Sequence, residues 1–177
     1  MKIRRLDADF DRWQELLSLI LSSFAYMKDR IDPPSSALEL TAASLAGKAQ
    51  AEIVHIALEG EALVGCVFLR PESSCLYVGK LAIAPDAQGR GIGRQLLSVA
   101  EQTARSLALP ALRLETRIEL VENHAVFSRW GFSKTAENAH PGFVTTTSIE
   151  MRKSLAAWSS SRNEAVLRPE LPKTELV

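Results

Sequence analysis

Residues 75–107, CLYVGKLAIAPDAQGRGIGRQLLSVAEQTARSL, decide the fold. They begin with an apolar strand at residues 76–83, pass through a polar turn and a glycine-rich corner, and end in an amphipathic helix. The first N–H groups of a helix have no intrahelical partner, and the helix dipole adds partial positive charge at the same end. Because a strand that runs through glycines into a helix forms an anion site, we expect this corner to hold phosphates.

Glycine spacing in this corner excludes two common nucleotide-binding motifs. In the dinucleotide-binding pattern G-x-G-x-x-G, counted from Gly89, the last glycine falls on Arg94, and the P-loop pattern G-x-x-x-x-G-K-[S/T] is absent. Glycines at 89, 91 and 93 remove every second side chain, so a phosphate can approach the backbone, while Arg90 and Arg94 add positive charge. The alternative is a glycine-rich turn that only packs a helix onto a sheet.

Composition limits the class of protein. The chain has 177 residues, 46% hydrophobic and 24% charged, which fits one globular domain with a sizeable core. Its net charge is formally zero with a pI near 6.8, so nucleic acid is not an expected partner. No secretory leader is visible, and the longest apolar run, residues 16–24, is too short to span a bilayer. We therefore expect a cytoplasmic protein that makes no membrane contact.

The cysteines indicate the redox state. Cys66 and Cys75 are the only two, both lie in apolar runs, and no C-x-x-C spacing or neighbouring histidine accompanies them. This pattern predicts a reduced, buried pair, with a disulfide or a metal site as the alternatives, and we expect no metal.

Hydrophobic periodicity and turn residues predict the remaining elements. A first helix follows strand 3–6, is capped by Asp9 or Asp11, and carries an apolar stripe over residues 13–24; a second begins at the capping box Ser36-x-x-Glu39 and stops at Gly47. Later elements are a hairpin of strands 53–58 and 62–69, strand 76–83, a helix after Gly91 with Leu107 among its inward residues, strand 111–116, helix 121–130 ending at Gly131, and strands 132–136 and 144–153. Strands 76–83 and 111–116 are expected to be parallel neighbours. Residues 1–155 form the predicted domain, and residues 156–177 a flexible tail.

Two stretches resemble motifs of the GNAT superfamily of N-acetyltransferases. Residues 88–93, Gln-Gly-Arg-Gly-Ile-Gly, are similar to its Q/R-x-x-G-x-G/A signature, and residues 123–132, NHAVFSRWGF, to its helix motif N-x-x-x-Y-x-x-x-G-F. The predicted element order is also that of the family. The resemblance implies an α/β fold of the α+β type, in which helices flank a central mixed sheet whose two parallel strands splay apart at their C-terminal ends.

In that family acetyl-CoA lies between the splayed strands as co-substrate. The resemblance implies that backbone near Leu81 pairs with the pantetheine, that N–H groups of the corner hold the pyrophosphate, and that Asn123 faces the cofactor. The residues so implied to bind it are Leu81, Ala82, Ile83, Gln88, Gly89, Arg90, Gly91, Ile92, Gly93, Arg94, Asn123 and Phe127.

Phe127 departs from the family motif. It stands where many members place a tyrosine whose hydroxyl is proposed to protonate the departing thiolate, and phenylalanine has no such proton. A positioned acid typically contributes about 10²–10⁴-fold, so its loss would slow the reaction without abolishing it. Another residue can supply the proton. Tyr77 on the central strand is a candidate, and the alternative is a half-buried strand tyrosine.

The proton of the incoming amine needs an acceptor, and the amine itself a binding site. Glu119 and Glu115 are the favoured bases among the carboxylates near the end of strand 111–116, with Glu122, His124 and His140 as further candidates. In the family that the sequence resembles, the loop between the first two helices usually completes the acceptor site. Its Arg30 and Asp32 are candidates to grip a zwitterionic or carboxylate-bearing acceptor together with Arg117, or equally to brace the loop by pairing with each other.

Three functions are consistent with the sequence. The first is an N-acetyltransferase that transfers the acetyl group of acetyl-CoA to an amine of a small molecule or protein by direct attack in a ternary complex. The second, motivated by Phe127, is a catalytically weak acyl-CoA-binding regulatory module. The third is another phosphate-binding α/β domain that prefers a nucleotide. Members of the family often pair, so a homodimer is possible.

Overall fold

A computed structural model describes residues 1–155, which form one mixed sheet flanked by helices. The elements, in chain order, are β1 (Lys2–Arg5), α1 (Trp13–Phe24), α2 (Ala42–Ala51), β2 (Ile53–Glu59), β3 (Ala62–Pro71), β4 (Leu76–Ile83), α3 (Ile92–Ser106), β5 (Ala111–Arg117), α4 (Val121–Arg129), β6 (Ser133–Asn138) and β7 (Ser148–Ser154). Short 3₁₀ turns occur at Ala25–Met27, Ser36–Glu39 and Pro85–Ala87. The predicted order of elements is confirmed, and the predicted tail at residues 156–177 lies outside the described residues.

The sheet has seven strands in the order β1-β2-β3-β4-β5-β7-β6. Neighbours pair antiparallel except β4 and β5, which are parallel, as the long α3 crossover between them predicts. Their ladder contains only the pairs Leu76–Leu112 and Tyr77–Arg113. Beyond these residues the two strands separate, so the central sheet opens into a V towards the C-terminal ends of β4 and β5.

A β-bulge in β4 sets which side chains face each layer. Phe68 pairs with Gly79 and Cys66 pairs with Ala82, so β4 has one more residue than β3 between these pairs. Lys80, within the bulge, has a φ of 45°. Because of the extra residue, Leu81 and Ile83 pack on the α3 side together with Val78, whereas Ala82 turns towards α1.

Two apolar clusters cover the two faces of the sheet. On one face α3 buries a stripe of Ile92, Leu96, Leu97, Ala100 and Ala104 against β3, β4 and β5. On the other face α1 and α2 cover β2 and β3, with Leu16, Ile20, Leu45 and Phe68 fully buried. The helices α1 and α2 do not extend over β5, β6 and β7, and charged side chains occupy that part of the sheet.

Several predicted boundaries were wrong. Neither Asp9 nor Asp11 caps α1; Arg12 stands at the N-cap and pairs with Glu15 at 2.6 Å in the first turn. Residues 36–39 form only a 3₁₀ turn, which is capped by Ser35 and not by Ser36 and ends where Leu40 adopts extended backbone.

The second helix starts later and runs further than predicted. Thr41 and Ser44 form a reciprocal capping box for α2, and the helix continues through Gly47 to Ala51. A Cβ added at Gly47 would meet no atom within 4 Å, so this glycine is a helix residue and not a stop.

Two other predictions fail at helix and strand ends. Leu107 is 43% exposed at the C-cap of α3, because the chain turns away through Ala108 at a φ of 55°. β7 begins at Ser148 and not at Val144, which is fully exposed in the preceding loop.

Both cysteines are free and buried, as predicted, and burial raises the pKa of the Cys66 thiol to about 12. No helix among residues 1–155 is long and apolar enough to cross a membrane.

Candidate active site

The V between β4 and β5 opens into a continuous cleft of about 860 Å³. One end is lined by the glycine corner and the start of α3, and the other by residues of the segment between α1 and α2. The inner face of α4 forms one wall through Asn123, Val126, Phe127 and Trp130. The phosphate corner, the splayed strands and the loop that follows α1 therefore belong to one site.

Gly91 and Gly89 give the phosphate end its backbone shape. Gly91 is the N-cap of α3 with a φ of 80°, and Gly89 has a φ of 76°. Both lie in the left-handed region that L-residues rarely adopt. A Cβ at either position would meet no protein atom within 4 Å, so space remains beside the first N–H groups of α3. This is the geometry in which a helix N-terminus binds phosphate.

Gly93 has a different role from the other two glycines. An added Cβ there would lie 3.3 Å from the Trp130 ring, so the missing side chain lets the end of α4 pack against the first turn of α3. This contact brings Arg129 to the cleft, a residue that no sequence pattern marked.

Of the three arginines near this end of the cleft, one forms an ion pair within the protein and two do not. Arg90 forms a 2.5 Å ion pair with Glu59 of the β2–β3 hairpin and does not line the cleft. Arg94 and Arg129 do line it, and neither makes an ion pair with any residue in the 1–155 range. Arg94 and Arg129 are therefore the two guanidinium groups that line this end of the cleft without an ion pair to the described residues.

At the end of β4, backbone hydrogen-bonding groups are already used within the protein. The Ile83 N–H donates to Ser23 Oγ at 3.0 Å, and Gln88 Nε2 donates to the Ile83 carbonyl at 3.3 Å. Ile83 thus lines the cleft with its side chain only, and Ala82 is buried under α1. Leu81 lines the cleft where β5 has already diverged, so it is the residue of this strand best placed to pair with an extended ligand.

The opposite end of the cleft is held together by side chains at and beyond the end of β5, which bind backbone groups of the segment 25–35. Arg117 Nη2 donates to the Pro33 carbonyl at 2.6 Å, and its Nη1 lies 3.1 Å from His140 Nε2. The backbone N–H of Asp32 donates to Glu119 Oε1 at 3.1 Å. Arg117 and His140 line the cleft, whereas Asp32 and Glu119 do not. These bonds brace the loop.

Arg30 does not pair with Asp32 in the structure. Its guanidinium forms an ion pair with Glu122 on α4 and lies 5.7 Å from the centre of the Tyr26 ring. The backbone N–H of Glu122 itself, and after it the Arg30 guanidinium, lower the pKa of the Glu122 carboxyl. The loop is thus tied across the cleft to α4, and Arg30 is not among the lining residues.

Aromatic side chains gather at α4 within the cleft. Phe127 packs edge-on against Trp130 and Phe132, with ring centres 5.8 and 6.0 Å away. One turn earlier, Asn123 Nδ2 donates to the hydroxyl of Tyr26 at 2.9 Å. No local sequence pattern indicates a catalytic role for Tyr26, because its contact with α4 joins residues 97 positions apart.

Tyr77 lies at the closed end of the V. Its ring packs between two guanidinium groups, with Arg70 at 4.8 Å and Arg113 at 4.5 Å from the ring centre. Burial, together with the charge of Glu115, raises the pKa of Tyr77. This phenol is therefore a weaker proton donor than an exposed tyrosine.

Arg113 is the centre of a charged cluster on the face of the sheet that α1 and α2 leave uncovered. It binds Glu72 through two hydrogen bonds of 3.0 and 2.9 Å, Glu115 at 2.7 Å and Glu150 at 3.1 Å. The hydrogen bonds from Arg113, with smaller contributions from Cys75 and Arg70, lower the pKa of Glu72 to about 2. The cluster fastens the β3–β4 turn to β5 beside the last hydrogen-bonded pair of β4 and β5.

The candidate bases are separated by the fold. Glu115 is exposed and lines the cleft. His140 also lines it but is held by Arg117 and by Thr147, whose Oγ lies 2.6 Å from its Nδ1. His124 Nε2 lies 2.8 Å from the Arg117 carbonyl, away from the lining. Of the two favoured glutamates, Glu115 alone has access to the cleft.

The Acetyltransferase (GNAT) family matches residues 13–132, a span that contains α1 to α4 and the whole glycine corner. The chain therefore belongs to the GNAT family of acetyltransferases and is an acyltransferase. No curated protein matches the sequence.

Solved structures share the fold across nearly their whole length. The PaiA N-acetyltransferase of Thermoplasma acidophilum, in complex with coenzyme A, is similar with a TM-score of 0.71 and 16% identity, over 88% of this chain and 100% of that one. A GNAT acetyltransferase of Elizabethkingia anophelis with acetyl-CoA bound gives 0.63 and 18%, over 87% and 97%. An IAA acetyltransferase of Bacillus cereus gives 0.61 and 21%, over 87% and 99%. At these identities the likeness establishes the fold.

Proposed function

We propose that this protein transfers the acetyl group of acetyl-CoA to an amine of a small molecule or protein by direct attack within a ternary complex. The observation that carries the proposal is the single cleft that joins the Gly91 corner, the bulge of β4 and the loop after α1. Solved relatives with this fold hold coenzyme A or acetyl-CoA, which supports the same co-substrate here.

The residues present fit the parts of that co-substrate. The unobstructed N–H groups after Gly91 suit the pyrophosphate, and Arg94 and Arg129 add charge without a competing partner within residues 1–155. Leu81, on the open side of β4, suits the pantetheine as an added strand would. Backbone donors at the bulge are suited to the oxygen of the thioester, where negative charge develops during attack.

Glu115 is the base that we infer for the amine. An amine acceptor is protonated at neutral pH and must lose a proton before it attacks. Both carboxylates have a partner, since Arg113 binds Glu115 and the Asp32 N–H binds Glu119, but Glu115 is exposed and lines the cleft whereas Glu119 does not. A water between Glu115 and the amine is the simplest route for this proton.

The acceptor site offers few free cations to a carboxylate. Arg30 is paired with Glu122, and Arg117 is occupied by Pro33, His140 and Glu119. Apolar and hydroxyl side chains line the rest of this end, including Phe24, Met27, Ile31, Ser35 and Ser36. This lining favours an amine on an apolar body over an amino acid with a free carboxylate.

A melting experiment tests the co-substrate first. At about 100 times Kd, acetyl-CoA should add roughly 2.7 kcal/mol, which is about 5–10 °C for a domain of this size. ATP and NAD serve as controls, because a general phosphate site would respond to them equally. A rise with acetyl-CoA alone supports the proposal, and an equal rise with ATP contradicts it.

Thiol release then separates an enzyme from a binding module. A panel of arylalkyl amines, polyamines, amino acids and peptides is added to the protein with acetyl-CoA, and free thiol is followed. Amine-dependent release supports the transferase. Tight acetyl-CoA binding with release no faster than hydrolysis would favour the regulatory module that Phe127 suggests.

A further inference from the structure

Tyr26 brings a phenol to the face of α4 at which Phe127 has none. The 3₁₀ turn Ala25–Met27 places its ring in the cleft, where its hydroxyl meets Asn123 at 2.9 Å. Asn123 and Phe127 are four residues apart, so they lie on the same face of the helix. All three side chains line the cleft.

The direction of this hydrogen bond leaves the hydroxyl proton of Tyr26 available to donate to another group. An amide nitrogen only donates, so the oxygen of Tyr26 accepts the bond from Asn123 and its own O–H must donate elsewhere. Throughout the described range, residues 1–155, this hydroxyl donates to no protein acceptor. The Arg30 guanidinium over the ring and the bond from Asn123 fix the orientation of the phenol. The proton is therefore directed at whatever the cleft binds.

The chain has two tyrosines, and the structure distinguishes them. Tyr77 lies where β4 and β5 still pair, between two guanidinium groups. Tyr26 lies beyond the point of splay and against α4. The thioester of a ligand that enters along Leu81 would end between the bulge and α4, which is on the Tyr26 side of the cleft.

We propose that Tyr26 donates the proton to the departing thiolate of coenzyme A, in place of the hydroxyl missing at position 127. This inference rests on the proposed function. After the ammonium proton has passed through Glu115 to solvent, the neutral amine nitrogen forms a bond to the carbonyl carbon and gives a second proton to Glu115 through water. The C–S bond then breaks with its electron pair on sulfur, and sulfur takes the proton of the Tyr26 hydroxyl. The phenolate is reprotonated from the proton released by the amine, so the products are an amide and a neutral thiol.

The test compares Tyr26→Phe, Tyr77→Phe and the double variant Tyr26→Phe/Phe127→Tyr in the full chain. Acetyl-CoA affinity is measured by titration calorimetry, and turnover by thiol release at saturating acetyl-CoA. We expect Tyr26→Phe to keep its affinity within threefold and to lower kcat by about 10²-fold, the lower end for a general acid. Tyr77→Phe should lower kcat less than threefold. The double variant, with a hydroxyl restored from α4, should regain most of the lost turnover.

The outcomes distinguish this inference from the proposed function. Tyr26→Phe with wild-type turnover, or with affinity lost in proportion to turnover, overturns the proton-donor role. A larger loss in Tyr77→Phe than in Tyr26→Phe also overturns it. If the wild type binds acetyl-CoA but no amine accelerates thiol release, the proposed function fails; the slow hydrolysis of acetyl-CoA by the same protein then reports on Tyr26, since a thiolate displaced by water needs the same proton.

Discussion

The two ends of the cleft are built from different groups. At the end proposed to bind phosphate the surface is backbone, shaped by Gly89 and Gly91, and the nearby Arg94 and Arg129 remain without ion pairs to the described residues. At the acceptor end the loop after α1 is held by side-chain bonds such as Arg117 to Pro33. A backbone surface is preformed and suits a group that does not vary, such as a pyrophosphate. An end built from paired side chains can change its ligand specificity when substitutions change those pairs.

The largest expected effect comes from breaking the backbone end. Gly91→Val places a β-branched residue at a φ of 80° and turns its side chain towards the space beside the first N–H groups of α3. Obstruction of the phosphate should lower acetyl-CoA affinity by about 100-fold, or about 2.7 kcal/mol. The backbone strain separately costs about 1–3 kcal/mol of the free energy of unfolding. Titration calorimetry measures the change in affinity.

Gly47→Ala is the matched control for this glycine. Gly47 lies inside α2 with space for a methyl group, so the variant should gain about 0.5–1 kcal/mol of stability and keep its affinity. Undiminished acetyl-CoA binding by a folded Gly91→Val would show that the phosphates bind elsewhere.

A smaller effect is expected from breaking the acceptor end. Arg117→Met keeps much of the side-chain length but removes the bond to Pro33 and the contacts with His140 and Glu119. We expect a loss of about 2 kcal/mol in the free energy of unfolding, since buried groups lose partners. Trypsin should also cleave the native protein faster after Lys28 or Arg30. Acetyl-CoA affinity should change less than threefold, because the phosphate end is untouched.

Arg4→Met provides the control for this variant. It removes an exposed ion pair with Asp7, which typically contributes less than about 1 kcal/mol. Equal stability losses in the two variants would mean that the loop is held by apolar packing and not by Arg117.

The same contrast explains what the sequence could predict. The corner at Gly89–Gly91, the strand before it and the order of elements follow from local patterns, and the structure confirms them. The two helix starts failed because capping depends on which of several nearby hydroxyl and carboxyl groups reaches the backbone: Thr41 does so, and Asp9, Asp11 and Ser36 do not.

The acceptor end was beyond reach of the sequence for a different reason. Arg30 meets Glu122, and Tyr26 meets Asn123, across separations of 92 and 97 residues, so no local pattern links them. Glu119 and Glu115 looked equivalent as bases at the end of β5. Only the fold shows that the first binds the backbone of Asp32 while the second reaches the cleft.

The smallest expected effect is a loss of stability at the closed end of the V, where β4 and β5 still pair. Glu72 holds Arg113 with two hydrogen bonds and has its pKa lowered to about 2 from an ordinary 4.5, chiefly by Arg113. Glu72→Gln should therefore cost about 1–2 kcal/mol at pH 7. Because the folded-state pKa is depressed, this contribution is complete above about pH 4.5 and is lost as the pH falls towards 2. Urea unfolding at pH 7 and pH 3 measures it.

The stability difference between wild type and Glu72→Gln should accordingly shrink from pH 7 to pH 3. Asp86→Asn removes an exposed carboxylate that makes no ion pair within residues 1–155, and it should change the free energy of unfolding by less than about 0.5 kcal/mol at either pH. A difference for Glu72→Gln that stayed constant with pH would assign its effect to packing rather than to charge. The V would then be held closed by the β4–β5 hydrogen bonds alone, and both ends of the cleft would keep their geometry in acid until the protein unfolds.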